Sequence, residues 1–228
     1  MKYLKYFETE AEYNSATLEL PNVSFVEETK IVSYNPGSST SSDYVMVDLG
    51  LPSGLKWADR NIGAELPEDY GLYFQWGDTV GYTGEQITNG EKKFASDWSD
   101  CFDTTKGGYK FNKYTSNKLT VLEASDDAAT VNMGSDWRMP TYAELTELIN
   151  NTTATFIDLD GNEFSQSETR NGAIAEYNLK GIKLTSKANS NSVFIPAAGN
   201  GRDAVLGSMN YSGCLWSSDL YTLDIQRA

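Results

Sequence analysis

Whatever chemistry this chain performs, it performs without an imidazole. None of its 228 residues is His, which removes Ser-His-Asp and Cys-His nucleophilic catalysis and the common His-containing zinc sites. Cys101 and Cys214 are too few for a zinc cluster. They can form one disulfide or stay as two buried thiols, the second being the ordinary state in a domain of this size. Carboxylate, Lys, Tyr and lone-Cys chemistry remain. Paired carboxylates are abundant, but in a chain with 32 Asp and Glu abundance is a poor sign of glycosidase geometry. Asp158-Leu159-Asp160-Gly161-Asn162-Glu163 puts hard oxygen ligands at alternating positions, as Ca²⁺ requires. Thr169 stands where the closing bidentate Glu of a twelve-residue calcium loop would fall, so the segment reads as an ordinary Asp-Gly turn. No metal, no cofactor and no catalytic residue are expected.

Two further groups of residues invite a role. Arg138 sits between Trp137 and Met139 in a turn expected to be buried. A buried guanidinium needs a carboxylate, and Asp126, Asp127 and Glu144 are the candidates for a structural bridge. Trp57, Trp76, Trp137 and Trp216 are expected in the core, each with a partner for its indole N–H; sugar stacking is the rival reading of any one of them. Trp98, in a polar loop, is the better exposed aromatic. The segment Asn200–Gly213 mixes glycines with adaptable polar side chains and one Tyr, the composition of a recognition surface. Asn200, Arg202, Asp203, Asn210 and Tyr211, with Asp219 and Tyr221 nearby, are the candidate receptor-binding residues, and Tyr211 is the expected anchor.

These residues must be carried by short elements. Tyr44–Leu49, Gly71–Gly77, Leu119–Leu122 and Val193–Pro196 read as strands. Thr141-x-x-Glu144 is a capping box ahead of Leu145, Leu148 and Ile149, so a helix starts there. A shorter helix is expected around 126–131. Gly/Asn/Ser-rich loops are expected over 78–118 and 160–192. Short strands, two helices and long ordered loops make an α+β domain over 44–228. Asn35–Asp43 is rich in Pro, Gly and Ser; residues 36–43 are read as a linker. Residues 1–35 carry an acidic, helical stretch to about Tyr13, then a hairpin at 23–34. They are too few to support a core of their own and read as an attachment and oligomerisation segment.

The charge excludes other functions. Lys and Arg number 18 against 32 acids, a net charge of −14. That opposes binding to a phosphate backbone or an anionic membrane, so neither nucleic acid nor membrane insertion is expected. Glu8, Glu10 and Glu12 interrupt any apolar leader, so no signal peptide is read at the N-terminus.

Six blocks then occur in order: Val47–Ala58 (VDLGLPSGLKWA), Tyr70–Gly77 (YGLYFQWG), Asp126–Ala129 (DDAA), Trp137–Thr141 (WRMPT), Phe194–Gly199 (FIPAAG) and Leu215–Ser218 (LWSS). Together they resemble the Fibrobacter succinogenes major paralogous domain family of gut Bacteroidetes and their phages. The resemblance spans about 47–218. It implies a C-type-lectin-like fold related to formylglycine-generating-enzyme domains and to the variable proteins of diversity-generating retroelements. The sugar-selecting triplets of calcium lectins, Glu-Pro-Asn and Gln-Pro-Asp, do not occur, and neither Cys lies in the formylglycine-generating pattern. Family members run further past the Trp-Ser-Ser block, so against the resemblance either the domain is shortened or the sequence stops before the natural end. It further implies a virion protein: residues 1–35 joining other virion proteins, a trimer, and a lectin-like fibre or tip domain meeting a host-surface glycan or protein. The alternative is a structural decoration of capsid, collar or tail that recognises nothing.

Overall fold

The computed structural model describes residues 44–94, 113–114, 119–170 and 172–219, all within one compact unit that spans Gly37–Ala228. The readings made of residues 1–35, of the linker, and of Trp98, Cys101 and Tyr221 lie outside the described residues.

The described chain opens on a small hairpin, β1 (Met46–Asp48) with β2 (Lys56–Ala58), in antiparallel register with Val47 opposite Trp57. The loop between them turns inward. Leu49 and Leu51 are buried with Leu148 and Val193 in one core cluster, against which Val47, Trp57 and Leu184 pack. Helix α1 (Gly84–Thr88) follows, then a 3-10 turn (Ala124–Asp126) leading into α2 (Ala128–Met133) and α3 (Tyr142–Asn151). At α3 the Thr141 side chain accepts from Glu144 N and the Glu144 side chain accepts from Thr141 N, satisfying two of the amides that a helix start leaves unpaired. Helix α1 carries the same reciprocal pair, Thr83 with Gln86.

The main sheet has four antiparallel strands in the order β4-β3-β5-β6: β3 (Thr152–Asp158), β4 (Glu163–Ser165), β5 (Leu179–Ser186) and β6 (Ser192–Pro196). A short helix, α4 (Gln166–Arg170), lies between β4 and β5. The hairpin β7 (Asn200–Arg202) with β8 (Val205–Gly207) follows the sheet. Among the described residues the architecture is mixed, with antiparallel sheets and few, short helices, as an α+β domain has.

Several expectations need correction. The span 78–118, read as loop, contains α1, which its own capping box starts. The span 160–192, read as loop, contains β4, α4 and β5. The pattern was disguised by a bulge: Ile157 pairs with Gly181 but Asp158 pairs with Leu179, so Lys180 is an extra residue in the ladder. A bulge shifts the phase of the in/out alternation, and Lys180 and Lys183 then fall out of step in an otherwise regular strand. The converse error is Gly71–Gly77, which is no strand. It makes an isolated antiparallel bridge between Tyr73 and Tyr82, because Gly71 and Gly77 at φ 71° and 75° turn the backbone out of extended geometry. Leu119 and Val121 likewise make only isolated bridges.

Candidate functional site

A cavity of about 740 Å³ opens among the second hairpin strand, the Tyr70–Gln75 segment, α2, the Trp137–Pro140 turn, the end of β6, β7 and the Trp216 segment. That is the size range of small-molecule sites. Its aromatic lining includes Trp57, Phe74, Trp137 and Trp216, and its polar lining includes Asn200 and Arg202.

Each wall has a local cause. The Trp216 segment is clamped to the Tyr70–Gln75 segment by two indoles facing opposite ways: Trp76 Nε1 donates to Ser217 O at 2.8 Å and Trp216 Nε1 donates to Phe74 O at 2.9 Å. The β6 end is fixed by Tyr73, whose hydroxyl donates to Ala198 O at 2.8 Å. Burial, followed by the charge of neighbouring Tyr70, pushes the Tyr73 phenol up to about 12, so it remains a neutral donor. Gly199, at φ 68°, starts the β7 hairpin where any Cβ would collide with the Gly207 carbonyl. Hairpin strand β7 leans on Phe94, whose N donates to Asp203 O at 2.8 Å.

The four tryptophans separate. Trp76 is 3% exposed and packs with Tyr114 and Leu122. Trp57 and Trp137 are only partly buried and Trp216 is 40% exposed; all three line the cavity. The expectation that all four form the core is therefore corrected for Trp216 and Trp137, which belong to neither core cluster, and qualified for Trp57, which is a partial core contact. An indole can satisfy its N–H on a carbonyl and still leave a ring face to solvent, and residue type alone does not reveal which side is covered.

Arg138 is also corrected. It is exposed, its side chain 49% accessible. It makes a two-pronged contact with Glu144, at 2.8 Å from Nη1 and 2.6 Å from Nη2. The Arg138 guanidinium, and then the backbone N–H of Thr141, hold the Glu144 carboxyl down at about 2. The other two candidate partners are engaged elsewhere. Asp126 accepts from Tyr114 Oη and Lys113 Nζ, each at 2.7 Å, and Asp127 accepts from Thr130 N and Met139 N. Because Arg138 reaches solvent, its ion pair is worth far less than a buried one.

The predicted receptor face is divided. Asn200 and Arg202 are exposed on β7 and line the cavity. Asp203 is exposed at the hairpin tip with φ 52°, a left-handed conformation that Asp tolerates better than most residues. Tyr211 is 56% exposed but does not line the cavity; it packs against exposed Tyr177 with ring centroids 5.5 Å apart. Asn210 is partly buried and structural: its N donates to Ala197 O, its O accepts from Leu179 N, and its Oδ1 accepts from the Tyr70 hydroxyl. Asp219 is structural as well, accepting from Tyr142 N at 2.8 Å at the start of α3. The six expected neighbours within the described residues thus serve at least two different purposes. Cys214 is a free thiol and exposed, where a buried thiol or a disulfide was expected.

The Asp158 turn is a closed hairpin loop. The Asp158 carboxylate accepts from Asp160 N, Asn162 N and Asn162 Nδ2 at 2.8–3.0 Å, and these donors, Asn162 Nδ2 foremost, lower its pKa. Among the described residues no group of three or more His, Cys, Asp or Glu is placed to hold a metal, and no helix is long and apolar enough to cross a membrane.

The cavity itself escaped the sequence reading. Its signal was present as the rival interpretation of Trp57, Trp137 and Trp216, but concavity arises from segments more than a hundred residues apart. Comparison with known protein families, with curated proteins and with solved structures finds no match to this chain.

Proposed function

We propose that this chain is a virion-associated binding protein of a phage, a fibre or tip component whose C-type-lectin-like domain binds a host-surface receptor without chemical conversion. The six ordered sequence blocks support the family and fold reading. So does an antiparallel sheet whose flanks are short helices and long hydrogen-bonded loops. Residues 1–35 would join other virion proteins and assemble a trimer.

The observation that carries the binding role is the exposed Trp216 ring beside Trp57 and Trp137 in a cavity rimmed by Asn200 and Arg202. An exposed indole whose N–H is already satisfied, as that of Trp216 is on Phe74 O, offers a flat apolar face at little entropic cost, and the neighbouring amide and guanidinium supply oriented hydrogen bonds. Sugar rings present apolar C–H faces and hydroxyl edges, which suit that combination. A concave site of this size fits a short glycan better than a flat protein epitope.

The test is adsorption of the labelled full chain to gut Bacteroidetes cells that have been treated with periodate, treated with protease, or left intact. Loss after periodate alone, together with loss in the Trp216→Ala variant, is expected. Loss after protease alone would replace the glycan by a protein receptor. No adsorption to any cell would leave the non-recognising decoration reading in its place.

A further inference from the structure

Building on the glycan reading of the same cavity, we infer that its ligand is an acidic glycan, one carrying carboxylate or another anionic group on its sugars. The ground is an inversion of charge. In the whole chain acids outnumber bases 32 to 18. Among the described residues that line the cavity the balance reverses, with Lys56, Arg60, Arg138 and Arg202 against Asp136 and Glu144.

Two of those cations are already neutralised. Arg60 pairs with Asp59 at 2.6 Å and Arg138 with Glu144 at 2.6 Å. Among the described residues Lys56 and Arg202 have no ion-pair partner. They approach the cavity from two unrelated elements, β2 and β7, and both side chains reach solvent. Arg202 is on the β7 hairpin that Gly199 starts and Phe94 braces, so its backbone is positioned in advance. Lys56 and Trp57 are consecutive residues of β2, and both line the cavity.

The physical consequence is a local positive potential over apolar ring faces within an otherwise strongly negative molecule. Neutral sugars would gain only ordinary hydrogen bonds to their hydroxyls. An anionic sugar gains charge-assisted hydrogen bonds, to a fork from Arg202 and to a point charge from Lys56. The surrounding negative charge repels anions that do not reach the cavity, which sharpens selectivity. Asp136 on the lining would disfavour ligands whose charge falls on its side and so orient the bound glycan.

The experiment uses the full chain on an array of microbial surface oligosaccharides, with neutral members matched to members bearing uronic acid, sialic acid or phosphate. Three variants accompany it: Lys56→Ala with Arg202→Ala, Trp216→Ala, and Lys183→Ala as a basic residue on the main sheet away from the cavity. The expected result is a bound set dominated by acidic members and weakened by added salt. The double variant should bind them roughly tenfold or more weakly, Trp216→Ala should lose them, and Lys183→Ala should bind as wild type. Melting curves of all variants establish that each is folded. Binding of neutral members that is lost in Trp216→Ala but unaffected in the double variant would overturn the acidic specificity and leave the glycan site standing. Absence of binding to every member, or binding indifferent to Trp216→Ala, would remove the glycan site and the acidic specificity with it.

Discussion

Trp76 and Trp216 occupy the two sides of one seam. Each indole donates across it to a backbone carbonyl of the other's segment, at 2.8 and 2.9 Å. Yet Trp76 is 3% exposed and Trp216 is 40% exposed. Residue type and the kind of acceptor for the indole N–H are the same, so those two features do not set the exposure. Tyr114 and Leu122 close over Trp76, with the Tyr114 ring edge-on at 5.4 Å. The ring of Trp216 instead borders the cavity. Covered, an indole stabilises through apolar burial; uncovered, it keeps part of that energy for a ligand. On the proposed glycan reading, the seam separates a stability element from a recognition element within one pair of hydrogen bonds.

The sharpest way to break this contrast is Trp76→Ala. Removing a buried indole should cost about 3–5 kcal/mol in urea unfolding of the full chain, whereas Trp216→Ala should cost about 1–2 kcal/mol. Equal costs would show that the two rings are not differently used. Gly199→Ala comes next. It places a side chain at φ 68° against the Gly207 carbonyl, so a loss of more than about 1 kcal/mol is expected, with weakened ligand binding because β7 carries Asn200 and Arg202. An unchanged melting temperature would mean the hairpin is not held as described.

The Arg138–Glu144 pair should be smaller still. Arg138→Ala should cost about 1 kcal/mol, since half-exposed pairs are screened by water. The pH dependence has a fixed sign. Glu144 ordinarily titrates near 4.5 and is held at about 2 in the fold. Its contribution is complete above 4.5 and disappears as the pH falls toward 2. Glu144→Gln should therefore flatten the loss of stability across that window, and an identical acid profile in wild type and variant would contradict the pairing. The smallest effect belongs to Tyr211→Ala. Its ring touches exposed Tyr177 outside the cavity, so stability should change by no more than about 0.5 kcal/mol and glycan binding should be retained. Loss of binding would extend the recognition surface to the Tyr177–Tyr211 pair.

The same distinction between covered and uncovered residues explains what could be read from the sequence. The α3 start was legible because a capping box is local: Thr141 and Glu144 are three residues apart and contact each other. Strand β6 was legible because Val193-Phe194-Ile195 has a single reading. The equivalent box at Thr83 and Gln86 is harder to read, because it is set in a glycine-rich stretch without an apolar run behind it. Strand β5 was obscured by the bulge at Lys180, which no single-strand pattern reveals because it depends on the partner β3. Arg138 was correctly given Glu144 among its candidate carboxylates, but its burial depended on how far the Trp137–Pro140 turn stands out from the core. Asn200 and Arg202 reached the candidate surface on composition alone. Asn210 and Asp219 have the same polar character and are spent on backbone groups, Leu179 N–Asn210 O and Tyr142 N–Asp219 Oδ1, which only the fold brings near.

The central claim is that Trp216, Trp57 and Trp137 face a ligand while Trp76 does not. Indole N–H signals of the ¹⁵N-labelled full chain, assigned with single Trp→Phe variants, report each ring separately. Titration with the strongest-binding acidic oligosaccharide from the array should shift the Trp216 signal most, move Trp57 and Trp137, and leave Trp76 in place. A titration that moves Trp76 while Trp216 stays fixed would contradict the assignment of the cavity as the binding site.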